Sequence, residues 1–206
     1  LLGSWTSCKN RNEILDIGCG TGLITLMLAQ RNLKSRITGI EIDKTAGKEA
    51  QLNINNSEWN ERVQIKNTSL QNFTTKIKFN LIVSNPPFFP GNNSKERRDI
   101  ARHTNTLSFE ELILNAVDLL VDKGMLSVII PKISEGDFLK ITEAYNLYCN
   151  RACYIKGNEL SEEKRVMMEF SRIKSQTKIE HLIIEKSRHK YTNEYIELCK
   201  DFYLKM

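Results

Sequence analysis

Asn85-Pro86-Pro87-Phe88 follows the run Phe79 to Ser84, whose apolar and β-branched residues read as a buried strand. Two successive prolines hold the backbone at the strand's end and remove two N–H donors. The carbonyls there are free to accept bonds from outside the sheet. Asn85 adds a side-chain carbonyl oxygen, also an acceptor, and Phe88 adds a flat apolar face for stacking. Together they can receive a planar amino group, with two acceptors for its N–H bonds and a ring against its face. Taken alone, the stretch reads as a proline-rich turn after a strand.

A second stretch changes that reading. Asp16-Ile17-Gly18-Cys19-Gly20-Thr21-Gly22 spells strand, Gly-x-Gly-x-Gly, helix. Gly18, Gly20 and Gly22 let the backbone turn tightly and let a ligand approach closely. A dinucleotide would use Gly-x-Gly-x-x-Gly, with its pyrophosphate on the helix N-terminus. Here the third glycine comes one residue early, and Asp16 would repel a phosphate. The carboxylate suits a cationic ligand, such as the amino-acid portion or the sulfonium of S-adenosylmethionine. Glu41 ends the second strand, where an acid can accept bonds from two ribose hydroxyls. The alternative is a structural tight turn with a surface acid.

The elements that position these residues alternate. Strands are expected at Glu13 to Ile17, Arg36 to Ile42, Val63 to Thr68, Phe79 to Ser84 and Met125 to Ile130. Helices are expected from Leu23 to Gln30, from Lys44 to about Ser57 with Asp43 as cap, from Ser108 to about Val121, and from Ser134 or Glu135 to Tyr148. Lys123-Gly124 is read as the stop of the third helix. Alternation of this kind implies a parallel, doubly wound α/β sheet with right-handed crossovers. Asn150 to Lys156 and Arg165 to Lys174 then read as an antiparallel hairpin at the sheet edge. Ile179 to Glu185 reads as one more strand and Tyr191 to Leu204 as a C-terminal helix. The expected architecture is one domain, residues 1–206, with a sheet of about seven strands.

In such a sheet the first and fourth strands are neighbours, so Gly18 to Gly22 lies beside Asn85 to Phe88. A methyl donor at one site and a planar amine at the other would meet. The pairing resembles the S-adenosylmethionine-dependent amino-methyltransferases, which read Asn/Asp-Pro-Pro-aromatic; this resemblance covers about residues 13 to 131. Three further segments resemble the bacterial tRNA1(Val) adenine-37 N6-methyltransferase family over nearly the whole chain. They are Asn53-Ile54-Asn55-Asn56-Ser57-Glu58-Trp59, the Arg98-x-x-Ala101-Arg102-His103 segment, and Asp201-Phe202-Tyr203-Leu204-Lys205-Met206.

That resemblance implies a Rossmann-like class I methyltransferase acting on N6 of the adenine 3′ to the anticodon of a valine tRNA. It implies catalytic roles for Asn85, Pro86 and Phe88, with adenine N6 held by the Asn85 side-chain oxygen and the Pro86 carbonyl. After strand three the family pattern has an acid for the cofactor's adenine amine; here stands Ser69, whose hydroxyl can accept one bond. The family also carries a further N-terminal segment, and Leu1 to Trp5 looks like its tail end. Asp16, Gly18, Gly20, Gly22, Glu41, Ser69 and Asn85 are the expected cofactor contacts.

The remaining features narrow the partners. Net charge is +5 and the isoelectric point about 8.9, which permits an RNA partner without demanding one. The best basic patch is Lys95 to His103, where Arg97, Arg98, Arg102 and His103 are the expected RNA contacts, against a solvated helix face. The five cysteines include no Cys-x-x-Cys pair, so neither a zinc site nor a disulfide framework is indicated, and reduced thiols in the cytoplasm are expected. His181 and His189 are assigned no role. No run is long enough to span a bilayer. No metal and no membrane contact are expected, and a monomer is favoured. Two competing functions remain: transfer to rRNA guanine N2 or a protein glutamine amide, and an RNA-binding module with the fold but no activity.

Overall fold

The computed structural model describes residues 1–87 and 107–204 of the chain. Phe88, Arg97, Arg98, Arg102 and His103 lie outside the described residues.

Among the described residues, nine strands form one sheet in the order β3-β2-β1-β4-β5-β7-β6-β8-β9. They are β1 (Glu13–Ile17), β2 (Arg36–Glu41), β3 (Val63–Asn67), β4 (Phe79–Ser84), β5 (Leu120–Pro131), β6 (Tyr148–Asn158), β7 (Glu163–Ser171), β8 (Lys178–Ser187) and β9 (Lys190–Tyr191). The first five pair in parallel, and β7 runs antiparallel to both β5 and β6. Helices α1 (Leu2–Trp5), α2 (Leu23–Arg31), α3 (Lys44–Asn55), α4 (Phe109–Leu119), α5 (Glu135–Ala144) and α6 (Asn193–Cys199) cover the two faces.

Side-chain alternation along each strand divides the core in two. Ile14, Leu81, Val83 and Ile129 join Leu28, Ile54 and Tyr195 on one face. Leu15, Ile82, Val128 and Ile130 join Leu112, Ala116 and Phe138 on the other. Burial on both faces is why β1 and β4 read as near-continuous apolar runs. The expected caps are present: the Asp43 side chain accepts from the N–H groups of Thr45 and Ala46, and Ser108 with Glu111 forms a reciprocal capping box.

Four expectations need correction. The β6–β7 hairpin is interior, not at the edge, and the sheet has nine strands rather than about seven. The link after β7 carries the chain past β6, so that β8 pairs in parallel with β6 and covers its open edge. The third helix stops at Leu119, and Lys123-Gly124 lies inside β5, at a register shift against β4 between Phe79 and Leu81. A Cβ at Gly124 would sit 2.8 Å from Leu120 Cδ2 and 2.9 Å from the Val121 carbonyl oxygen, so the glycine serves a bulge rather than a helix stop. The C-terminal helix spans only Asn193–Cys199, because Lys190 and Tyr191 are taken into β9 and a 3-10 turn follows at Lys200–Phe202.

The start of the chain is pinned to the far half of the sheet. Trp5 Nε1 donates to Glu180 Oε2 at 2.9 Å, and the Arg151 guanidinium lies 4.1 Å from the Trp5 ring. Arg151 Nη2 also donates to Glu180 Oε2 at 2.9 Å, and the Ser7 N–H donates to Glu169 Oε1 at 2.6 Å. Arg31 Nη1 donates to the carbonyls of Gly3 and Thr6 at 2.8 and 2.7 Å, which ties α1 to α2. Burial pushes the Glu180 carboxyl up, but the bonds from Arg151, Lys178 and Trp5 outweigh it and hold it at about 2. The stability this contributes is complete above the ordinary carboxylate value of 4.5 and is lost as pH falls towards the folded value. Arg151→Met is expected to lower the unfolding free energy by about 2 kcal/mol in urea titrations at neutral pH. The same variant should show a shallower loss of stability on the acid side, because Glu180 then titrates closer to its unfolded value.

Candidate active site

Ile17 and Ser84 face each other across the β1–β4 pair. The buried Ser84 Oγ donates to the Ile17 carbonyl at 2.9 Å, which fastens the two strand ends together. The next residues, Gly18 and Asn85, therefore leave the sheet side by side. On the other flank Ile17 pairs with Ile40, so Glu41 ends β2 at the same edge. Strand pairing alone thus gathers the glycine turn, the acid and the Asn-Pro-Pro stretch at the carboxyl edge.

The glycine turn is held by its backbone. Gly18, Gly20 and Gly22 have φ of 69°, 56° and 86°, left-handed values that favour glycine. The N–H groups of Gly18 and Cys19 both donate to the Ile40 carbonyl, at 2.9 and 3.0 Å. A Cβ on Gly18 or Gly20 would meet nothing within 4 Å, so open space lies against the turn at both positions. Gly22 differs: a Cβ there would lie 3.4 Å from Ala50 Cβ, and its bareness lets α2 approach α3.

Glu41 braces this turn. Its Oε2 accepts from Gly20 N–H at 2.8 Å, and its Oε1 accepts from Asp43 N–H at 2.9 Å. Sequence reasoning reserved Glu41 for ribose hydroxyls and missed this bracing role. Each carboxylate oxygen can accept a second bond, so the two roles are compatible. The Glu41 carbonyl accepts from Asn67 Nδ2 at 2.8 Å and Thr68 N–H at 2.9 Å, which brings the end of β3 to the same edge. Ser69, two residues beyond β3, is partly buried in a turn whose Asn72 N–H approaches Ser69 Oγ at 3.3 Å.

Asp16 lies beneath the turn and is fully buried. Its Oδ2 accepts from Thr25 Oγ1 at 2.6 Å. Its Oδ1 is buried with no hydrogen-bond partner among the described residues. Such orphaned oxygens are rare and costly. Burial raises the Asp16 carboxyl to about 6; the Thr25 bonds pull it down, and Glu41 nearby adds to the rise. A cationic group lodged over the turn would satisfy the orphaned oxygen and favour the ionised form. The donor set therefore fits the sulfonium amino acid that the sequence suggested. Thr25 was not singled out from sequence; its one signal is a lone hydroxyl within the apolar run Leu23 to Ala29. Cys19 is no nucleophile, since burial and the charges of Asp16 and Glu41 push its thiol well up.

Asn85 is exposed, Pro86 buried and Pro87 exposed at the end of β4. The acceptor pair thus has one face towards solvent and a fixed backbone behind it. Among the described residues no group of His, Cys, Asp and Glu could hold a metal ion, and no helix is long and apolar enough to cross a membrane.

Comparison with known proteins agrees with this geometry. A protein from Agrobacterium tumefaciens described as a predicted O-methyltransferase superposes with a TM-score of 0.74 at 18% identity, covering 97% of this chain and 94% of its own. An N-methyltransferase from Bradyrhizobium japonicum superposes at 0.56 with 18% identity, covering 78% of this chain and 85% of its own. The fold is that of the Rossmann-like methyltransferases, and the model of the methyltransferase small domain family matches residues 1–146. A narrower likeness extends over the whole chain. A Flavobacterium psychrophilum protein named tRNA1(Val) (adenine(37)-N6)-methyltransferase is 44% identical over 100% of this chain and 90% of its own length. Proteins of the same name from Phocaeicola vulgatus and Trichodesmium erythraeum are 41% and 42% identical, each over 100% of this chain and 88% of their own. The chain belongs to the tRNA1(Val) (adenine(37)-N6)-methyltransferase family.

Asp16 generates a pH signature of the ligand-free protein. Its folded value, about 6, lies above the ordinary 3.8, so the folded state binds the proton more tightly. Between these values its contribution to stability falls as pH rises, and above the folded value the loss is complete. Asp16→Asn should remove that slope. Urea unfolding of the two proteins across the window from 3.8 to about 6 checks it.

Proposed function

We propose that this chain transfers a methyl group from S-adenosylmethionine to N6 of adenine 37, 3′ to the anticodon of tRNA1(Val). The observation that carries the reading is the side-by-side exit of Gly18 and Asn85, fastened by the Ser84–Ile17 bond. It stands in a chain 44% identical over its full length to a relative named for this activity. Residues 1–206 act as one methyltransferase domain, and its free thiols and RNA substrate suit the cytoplasm.

Cofactor binding falls to Asp16, Gly18, Gly20, Gly22, Glu41, Ser69 and Asn85. The orphaned Asp16 Oδ1 meets positive charge, Gly18 and Gly20 leave the space, and the Glu41 carboxylate accepts from ribose hydroxyls while keeping its hold on Gly20. Ser69 offers one hydroxyl to the adenine moiety. When bound, S-adenosylmethionine supplies an electrophilic methyl group on a sulfonium.

The target adenine must leave its stack to reach the strand ends. Asn85 Oδ1 and the Pro86 carbonyl then accept the two N6–H bonds. This holds the amine and directs its lone pair out of the ring plane. Phe88 is assigned the stacking face on sequence grounds. The amine gives up its proton to water after it becomes cationic, so no strong protein base is needed. Rate enhancement comes from positioning and from dipoles fixed before the substrate arrives. Arg97, Arg98, Arg102 and His103 are assigned to the RNA backbone, also from sequence.

Asn85→Ala should lower kcat by about 100-fold or more and weaken cofactor binding far less, by about 10-fold at most. Transfer of labelled methyl to unmodified tRNA, with nucleoside analysis, reads the first quantity, and calorimetric titration reads the second. Equal losses in both would remove Asn85 from its assigned role, and label in a nucleoside other than N6-methyladenosine would remove the substrate. Cofactor affinity in the unaltered protein should climb as pH rises through about 6, where Asp16 ionises, and Asp16→Asn should bind about 10-fold or more weakly at neutral pH with that climb abolished.

A further inference from the structure

Tyr154 and His181 lie opposite each other on β6 and β8. They point to the face that carries Ala152 and Val166, away from Cys153, Ile155 and Leu182. Their rings stack at 5.5 Å between centroids, tilted by 32°. The His181 side chain is 64% exposed, and Ile179, two residues before it on the same face, is 50% exposed. The pair therefore stands open to solvent at the β8 side of this face, whereas Phe138 of α5 is buried against Phe170 of β7.

The pair is held in place from below. Tyr154 Oη donates to Glu135 Oε1 at 2.8 Å, and the Glu163 carboxylate meets His181 Nδ1 at 3.2 Å. Lys132 sits with its ammonium 4.5 Å from the Tyr154 ring centre and pairs with Glu135 Oε2. Glu135 is buried, and its charge is met by Lys132 and Tyr154, so it presents no open anion. The Lys132 side chain keeps 35% of its surface exposed. What solvent sees is an imidazole face, backed by a phenol ring, with the Glu163 carboxylate at its Nδ1 and the Lys132 ammonium beside the phenol.

The register places this feature relative to the candidate active site. Ser84 is level with Val128, Ile130 with Val166, and Val166 with Tyr154. Asn85 and Tyr154 therefore lie within about one residue of the same height along the strands. Laterally they are three strand spacings apart, about 14 Å, and His181 is one spacing further, about 19 Å. That is the reach of a few nucleotides of single strand.

We propose that Tyr154 and His181 form a stacking platform for the unpaired anticodon-loop nucleotides that flank the target adenine, with Lys132 meeting their phosphates. Bases stack on aromatic and imidazole faces whatever their identity, and a neighbouring ammonium adds the backbone contact. The platform grips the loop while the target base is drawn to Asn85.

The inference rests on the tRNA reading, and its test keeps the two apart. The full chain is titrated with the unmodified anticodon stem-loop of valine tRNA, followed by fluorescence anisotropy, and methyl transfer is measured alongside. His181→Ala and Tyr154→Leu should each weaken stem-loop binding about 10-fold and raise KM for tRNA by a like factor, against a smaller change in kcat. Affinity for S-adenosylmethionine should hold in both. Tyr154→Phe, which restores the ring without the hydroxyl, should recover the affinity lost in Tyr154→Leu. Stem-loop binding unchanged in His181→Ala and Tyr154→Leu overturns the platform. So does a Tyr154→Phe protein as weak as Tyr154→Leu, which would assign the effect to the Glu135 bond. An unaltered protein that binds the stem-loop but transfers no methyl overturns the methylation reading alone, and the binding ratios still decide the platform. One that does not bind the stem-loop overturns both.

Discussion

The parallel pairing of β1 with β4 joins segments 67 residues apart, and the Ser84–Ile17 bond closes it at the carboxyl end. A hydroxyl buried between two strands must find an acceptor or cost free energy. Here it takes the Ile17 carbonyl of the neighbouring strand, so one satisfied buried donor fastens the two strand ends that the pairing has already placed side by side. Both exits then lie where an open parallel sheet binds its ligands. β2 adds Glu41 and β3 adds Ser69 to the same edge by the same pairing rule.

Electrostatics at this edge is arranged in the protein before any ligand arrives. Two carboxylates lie close to a turn made of bare backbone, and they are held differently. Glu41 accepts one backbone N–H on each oxygen and braces the turn. Asp16 is satisfied on one oxygen and orphaned on the other. The second arrangement leaves a buried acceptor unmet, at a cost in stability. Burial first, and then the negative charge of Asp16 and Glu41, push the neighbouring Cys19 thiol up and oppose a thiolate.

The far half of the sheet serves the near half from a distance. Arg151 links Trp5, Glu169 and Glu180, so the first residues of the chain are fastened to β6, β7 and β8. Arg31 carries that attachment on to α2, the helix that follows the glycine turn. β8 closes the edge of β6 and presents His181 beside Tyr154. Strands added beyond the methyltransferase core thus widen the surface beside the site at the height of Asn85.

Much of the near half was legible from sequence because its signals are local. Apolar runs bounded by glycine or proline marked β1 and β4 to the residue, and Asp43 and Ser108 marked two helix starts through their capping chemistry. The glycine turn, Asp16, Glu41 and Asn85 were readable because strand alternation forces their ends to one edge. What the sequence could not decide depended on contacts between distant segments. A hairpin pattern looks the same at an edge or in the interior, so the placing of β6 and β7 waited on β8 reaching past them. Lys123-Gly124 reads as a helix stop, yet a bulge against Phe79 makes it part of β5. The Glu41 brace on Gly20 and the Tyr154–His181 pair join residues brought together by strand pairing, and the Thr25 bond to Asp16 forms only when α2 folds back over β1. Local chemistry determined which strands and turns meet at this edge; tertiary packing decided which of their polar atoms are satisfied and which are not, because those bonds join segments that the sequence keeps apart.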